Sequence, residues 1–250
     1  MILKRYRLLL TCLALTVPLV ATKFLLHSVE WEVITLGSLH TSVITGTFFV
    51  LGFILSAIIT DYKESERIPA EIASIIQNMA DDADSIHTAY PKFNIKAFRK
   101  DMLGLATSLG DDIRYKKFQT QEDIHSLSKH FVSMEKAGVP ANFIVKLKQQ
   151  QAQLLRVLLR VAYIQRIQFV PSATILAQTI ATLVIGLLLF TEIEPFYGGL
   201  ALTAIVSLIL LYVLRLIVVI STPFHSEGKT QDDVSLFLLE QTVARLKTKS

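Results

Sequence analysis

The sequence predicts an all-α integral membrane protein with four transmembrane helices per subunit and a helical domain between the second and third. Three observations carry that prediction. Hydrophobic residues make up 52% of the chain and the mean hydropathy is +0.48, above the level of an ordinary soluble domain. Four runs are apolar enough and long enough to cross a hydrocarbon core of about 30 Å as helices. Between Asp61 and Pro171 there is no such run, and Lys and Arg recur from Lys63 to Arg166, as expected of a segment held on the cytoplasmic side.

The chain therefore divides into residues 1–60 with the first two spans, 61–170 as a cytoplasmic helical domain, 171–220 with the third and fourth spans, and 221–250 as a cytoplasmic tail. The loop before the second span holds Glu30, Trp31 and Glu32, and the loop after the third holds Glu192 and Glu194, both without Lys or Arg. Those loops read as external, which puts both termini on the cytoplasmic side of a cell membrane and the apolar faces in lipid. Residues 1–26 begin with Lys4, Arg5 and Arg7. A basic start before an apolar run also describes a secretory signal peptide, but the run continues through Leu26 without a clear small-residue cleavage site and reads as a retained first span. Pro18 would kink it, and Lys23 interrupts it.

The second span, Leu39 to Ile59, differs from a plain lipid-facing anchor. It mixes Thr41, Ser42, Thr45, Gly46, Thr47, Gly52 and Ser56 with three phenylalanines, and small or hydroxyl-bearing residues let helices approach and bond across an interface. Gly46 and Gly52 are the candidate close-packing positions. Thr41, Thr45, Phe49 and Phe53 recur every fourth residue and fall along one stripe.

The intervening domain has helical periodicity throughout. Pro69 and Glu71 suit a first turn ahead of Ile72, Ile75, Ile76, Met79, Ala83 and Ile86, with Asp81, Asp82 and Asp84 on the opposite, solvated face. Ile95 to Leu109 places Phe98, Met102, Leu105 and Leu109 on one side before Gly110 stops it. Thr120 with Asp123 opens a third helix carrying Ile124, Leu127, Phe131 and Met134 up to Gly138, a loose capping-box analogue. A fourth runs from Pro140 toward Pro171. Residues 172–190 and 198–220 are the third and fourth spans, with Arg215 near the inner end where its stem can reach the interface. Val234 to Leu246 reads as an amphipathic helix with Phe237, Leu238, Val243 and Leu246.

Phe49-Val50-Leu51-Gly52-Phe53, followed by Thr60-Asp61-Tyr62-Lys63, resembles the second transmembrane helix of the bestrophins and bestrophin-like proteins. Two further matches come in order: Phe169-Val170-Pro171 entering a span, and Thr222-Pro223-Phe224 ahead of Asp232 and Asp233. The resemblance implies a ring oligomer, a homopentamer, with one central pore that passively conducts chloride or other small anions such as bicarbonate through a neck of Thr45, Phe49 and Phe53. It implies a tail that wraps a neighbouring subunit and a cytoplasmic constriction near Val139, Phe143 and Ile144. Where animal bestrophins have an apolar residue above the two phenylalanines, this chain has Thr45, which makes the upper neck easier to wet. Their calcium clasp follows Pro-Phe directly, whereas His225-Ser226-Glu227-Gly228-Lys229 intervenes here, leaving Asp232 and Asp233 as weak calcium candidates. Bacterial relatives differ in charge selectivity, so a cation-conducting homologue stays open beside the anion reading.

Ring edges are positive and ring faces negative, so phenylalanine orientation decides which ion meets attraction, and orientation is invisible in sequence. Arg156, Arg160 and Arg166 would concentrate anions if they face a vestibule, or serve as positive flanks. A non-conducting membrane scaffold acting through its cytoplasmic helices is the reading from another class. The net charge of +4 follows topology rather than nucleic-acid binding. One cysteine, Cys12, excludes a disulfide within the chain. No G-x-S-x-G, P-loop, H-E-x-x-H, C-x-x-C or G-x-G-x-x-G occurs, so neither an enzyme nor a cofactor is expected.

Overall fold

The computed structural model describes residues 6–115, 120–166, 171–224 and 233–249. The motif residues Phe169 and Val170, the calcium candidate Asp232, the segment His225 to Lys229 and the basic residues Lys4 and Arg5 lie outside the described residues. The helices are α1 (Arg7–Ser28), α2 (Ser38–Ala89), α3 (Ile95–Tyr115), α4 (Thr120–Ser126), α5 (Ser128–Lys136), α6 (Ala141–Arg166), α7 (Pro171–Phe190), α8 (Phe196–Ile220) and α9 (Phe237–Lys249), with short strands β1 (Ile34–Thr35) and β2 (Thr191–Glu192). The chain forms two compact units, 6–62 with 171–222 and 63–166 with 223–224 and 233–249.

In the first unit α1 packs along α8, α7 packs on α8, and β1 pairs in parallel with β2, Ile34 opposite Thr191. Four helical stretches are long and apolar enough to cross a membrane: α1, the first part of α2, the run ending in α7, and α8. Leu51 and Ile58 of α2 join Ala177, Ala181, Val184 and Leu188 of α7 and Val206, Leu210 and Ile217 of α8 in one apolar cluster. Gly199 is required there, because a Cβ would sit 2.9 Å from the Ile193 Cβ.

The second unit has its own core, in which Ile72, Ile76, Met79, Phe98, Met102, Leu105, Leu109, Phe131 and Met134 are buried. Four expectations are corrected. Pro69 does not open a helix; it lies inside the 52-residue α2. The carbonyl partner lost at a proline is one bond in a long ladder, and buried Ile68 and Ile72 hold the helix on either side. Gly110 does not stop α3, which continues to Tyr115 because Ile113 enters the core and α9 covers the glycine, Leu239 lying 3.8 Å from where its Cβ would be. The third helix is two, α4 and α5, parted at Leu127. The buried stripe of the tail helix runs through Leu236, Leu239 and Leu246, leaving Phe237 exposed.

Asp81, Asp82 and Asp84 are more than a solvated face. Arg245 of α9 bonds Asp81 at 3.0 and 3.1 Å, Lys146 of α6 bonds Asp82 at 2.7 Å, and Arg99 of α3 bonds Asp84 at 2.9 Å. Each acid ties α2 to a different helix, and Gln77 adds a 2.7 Å bond to Thr242. The tail helix therefore docks on its own chain. Partly exposed pairs of this kind contribute at most about 1 kcal/mol each, so the apolar core dominates the docking.

Gly138 ends α5 with φ +85°. Its N–H donates to the Glu135 carbonyl at 3.0 Å and the Val139 N–H to the Met134 carbonyl at 3.1 Å, the paired bonds of a Schellman motif. Gly138→Ala is expected to destabilise the protein by about 1–2 kcal/mol through its left-handed backbone, and Gly138→Asn by less. Thermal melting of the two variants checks the order.

Candidate functional site

The candidate site is the first part of α2, within the first unit. Its two sides differ in chemistry. On the packed side Thr47, Leu51 and Ile58 are 4%, 1% and 1% exposed, and Ile44, Phe48, Ile54, Leu55 and Ile59 lie against the same cluster. On the other side Thr41, Ser42, Thr45, Gly46, Gly52, Ser56 and Thr60 are exposed, together with Phe49 at 66% and Phe53 at 63%. At 3.6 residues per turn, positions 41, 45, 49, 52, 53, 56 and 60 fall within one broad face. The two rings meet edge to face, centroids 4.7 Å apart and planes at 83°, a geometry in which ring quadrupoles attract.

The predicted stripe of Thr45, Phe49 and Phe53 is therefore one exposed face. Ser56 and Thr60 extend it past the phenylalanines, and the site reading of the sequence missed them although, three and seven residues after Phe53, they fall on the same helical face. The Thr60 hydroxyl donates to the Ser56 carbonyl at 3.0 Å and the Ser42 hydroxyl to the Ser38 carbonyl at 3.1 Å. A Cβ added at Gly46 or Gly52 would meet nothing within 4 Å, so neither glycine makes a close approach inside this chain.

The exposed faces of the other spans are mostly aliphatic. α1 presents Leu9, Leu10, Leu13 and Val17, α7 presents Ile175, Leu176 and Leu183, and α8 presents Leu202, Ile205 and Ile209. Isolated polar or aromatic residues break these faces, among them Thr11, Thr22 and Phe24 on α1, Thr179 and Thr182 on α7 and Tyr212 on α8, whereas α2 gathers Thr41, Thr45, Phe49, Gly52, Phe53, Ser56 and Thr60 on one face.

A polar knot joins the ends of the spans. Lys23 of α1 is 1% exposed; its Nζ pairs with Glu32, donates to the Thr191 carbonyl and lies 3.4 Å from the Leu189 carbonyl. Its surroundings were illegible in sequence, and the structure supplies a partner acid. His27 Nδ1 lies 2.8 Å from Glu32 and its ring stacks on Phe196 with centroids 3.9 Å apart. Burial pushes the Glu32 carboxyl up, but hydrogen bonds from Lys23 and His27 outweigh it and hold the group below the ordinary range. Glu30, Glu192 and Glu194 are exposed on the same turns, and a cavity of about 580 Å³ is lined by His27, Glu192, Ile193, Glu194, Pro195 and Phe196.

In the second unit the candidate constriction residues part company. Val139 and Ile144 are buried in the unit's own core, whereas Phe143 is exposed. The stretch from Val139 to Ile144 straddles the start of α6, whose inward face begins at Ile144 and continues through Leu147 and Leu154. Arg156 is exposed, and Arg160 is paired with Glu64, so one of the two candidate vestibule charges has an acid beside it. Asp233 is half-buried, and among the described residues no group of three His, Cys, Asp or Glu side chains could hold a metal ion.

Solved structures match this architecture over nearly the whole chain. A bacterial bestrophin homolog from Klebsiella pneumoniae with a leucine-to-threonine mutation matches at a TM-score of 0.79 and 13% identity, covering 96% of this chain and 98% of its own. The tyrosine-to-alanine form matches at 0.77 and 14% identity, covering 98% of each chain. The chain has the bestrophin fold. A further structure, described as a membrane protein with a leucine-to-alanine mutation, matches at 0.80 and 15% identity over 96% of this chain and 97% of its own. No protein-family model and no curated protein sequence matches the chain. At this level of identity the likeness is one of fold, with four apolar helical stretches long enough to cross a membrane.

Proposed function

We propose that this chain is one subunit of a homopentameric, bestrophin-like ion channel in a cell membrane, and that the exposed side of α2 from Thr41 to Thr60 faces its central pathway. The observation that carries this reading is the gathering of hydroxyls, glycines and aromatic rings on one face of α2, denser than on the other spans. Hydroxyls and glycines exposed at membrane depth suit water or protein beside them, not lipid. A single subunit encloses no conduit, so the face finds water only when copies surround a common axis. Thr45 above and Ser56 below then flank an aromatic barrier formed by Phe49 and Phe53, which resists wetting without binding ions tightly. Phe143, the exposed member of its set, is the candidate for a second constriction, and Arg156, which unlike Arg160 is not the partner of Glu64, is the candidate for vestibule charge.

Small anions are the proposed permeant species, on the strength of the bestrophin resemblance of the Phe49 to Phe53 segment. A second reading, cation conduction, is favoured by one observation. Glu30, Glu192 and Glu194 are exposed on turns without Lys or Arg, and such a surface concentrates cations. The reversal potential of purified protein in a planar bilayer under a potassium chloride gradient separates them. A potential moving toward that of chloride is expected; movement toward that of potassium keeps the pathway and reverses the selectivity. Absence of current from assembled protein overturns the channel reading in favour of a scaffold.

A further inference from the structure

We infer that His40 is the positioning residue of the neck helix, acting as a neutral imidazole that caps α2 through one ring nitrogen and ties it to the end of α7 through the other. This rests on the reading of α2 as the pore-facing helix. His40 is 4% exposed and lies in the first turn of α2. The Gly37 N–H donates to its Nδ1 at 3.2 Å, and the His40 N–H donates to the Gly37 carbonyl at 3.0 Å. That is one half of a capping box, with imidazole in the place where Glu or Gln ordinarily reaches back to the N-cap N–H, and the Gly37 carbonyl, in the absence of a side chain, takes the returning bond. Nδ1 must therefore carry a lone pair.

The other nitrogen is fixed by elimination. His40 Nε2 lies 2.9 Å from Thr191 Oγ1, and the Thr191 hydroxyl hydrogen is already given to the Leu187 carbonyl at 2.6 Å. Thr191 Oγ1 is left to accept, so Nε2 carries the hydrogen. The network assigns the neutral Nε2–H tautomer and no other. Thr191 is pinned in turn, its carbonyl by the buried Lys23 ammonium and its backbone by pairing with Ile34. Lys23, Thr191 and His40 thus form a relay from α1 through the end of α7 to the first turn of α2. Thr45 lies five residues further along that helix. Any rotation of the first turn carries the neck side chains with it.

Gln at position 40 can reproduce an acceptor and a donor at the outer edge of the ring, whereas Leu fills the space and offers neither. In the assembled full-length protein, His40→Leu is expected to lower conductance about tenfold, the effect of losing a buried hydrogen-bonded tie. His40→Gln should retain most of it. Thr191→Val should lose what His40→Leu loses, and the double variant little more, the signature of one shared contact. Equal conductance in His40→Leu and wild type, or additive losses in the double variant, overturns the inference. If the wild type passes no current, the channel reading fails by itself, and histidine ¹⁵N spectra still decide the present point. A buried neutral Nε2–H histidine that vanishes in His40→Gln supports it, and an Nδ1–H or charged ring at position 40 at neutral pH overturns it.

Discussion

Replacing Phe49 and Phe53 together by alanine is expected to raise conductance by about tenfold or more and to weaken discrimination among ions, because a dewetted constriction is removed from the axis. Both rings are more than 60% exposed in the chain and touch each other rather than the core. The substitution therefore costs the fold little. Leu51→Ala, on the opposite side of the same helix, gives the reverse pattern: it opens a cavity in the cluster with α7 and α8 and destabilises by about 2–5 kcal/mol, while conductance per assembled channel stays near wild type. Single-channel recording with thermal melting separates the two. Unchanged conductance after loss of both phenylalanines would remove them from the pathway.

Lys23→Met is expected to be the most destabilising single change in the first unit. The ammonium and the Glu32 carboxylate are 1% and 6% exposed, and removing one partner of a buried pair strands the other at a cost of about 3–5 kcal/mol. For a chain of this size that loss corresponds to a fall in Tm on the order of 10 °C. The double variant Lys23→Met, Glu32→Gln leaves no stranded charge and is expected to recover part of the loss. Scanning melts of the three proteins in one detergent check this, and a double variant no more stable than the single would contradict the pairing. The pH dependence has a definite sign. The Glu32 carboxyl is held below its ordinary range, so the stability it contributes is present above its unfolded pKa and fades as pH falls through the lower folded value.

Much of this architecture was legible in the sequence because membrane spans announce themselves through length and uninterrupted hydropathy. The buried faces of α2 and α3, from Ile72 to Ile86 and from Phe98 to Leu109, followed from spacing alone. Pro69 and Gly110 misled because local propensity favours a helix end at each, while burial of Ile68, Ile72 and Ile113 outweighs it. Phe237 misled because a tail helix offers several apolar residues, and only the partner surface of α3 selects Leu236, Leu239 and Leu246 among them. The Thr45, Phe49 and Phe53 stripe was visible as a periodicity, but its exposure was not. Periodicity says which residues share a face and leaves open what covers that face. Lys23, Glu32, His40 and Thr191 come together from separate parts of the chain, and no local pattern joins them.

The central claim is that one side of α2 meets water at membrane depth. Cysteine accessibility tests it most directly, in a Cys12→Ser background since Cys12 is the single native cysteine and is buried. Thr45→Cys and Ser56→Cys are compared with Thr47→Cys on the packed side and Leu183→Cys on an exposed aliphatic face. The expected result is that a charged, water-soluble thiol reagent modifies positions 45 and 56 and changes the current, while 47 and 183 stay unmodified. Positions 45 and 56 reacting no faster than 183 would place that side of α2 against lipid and contradict the account.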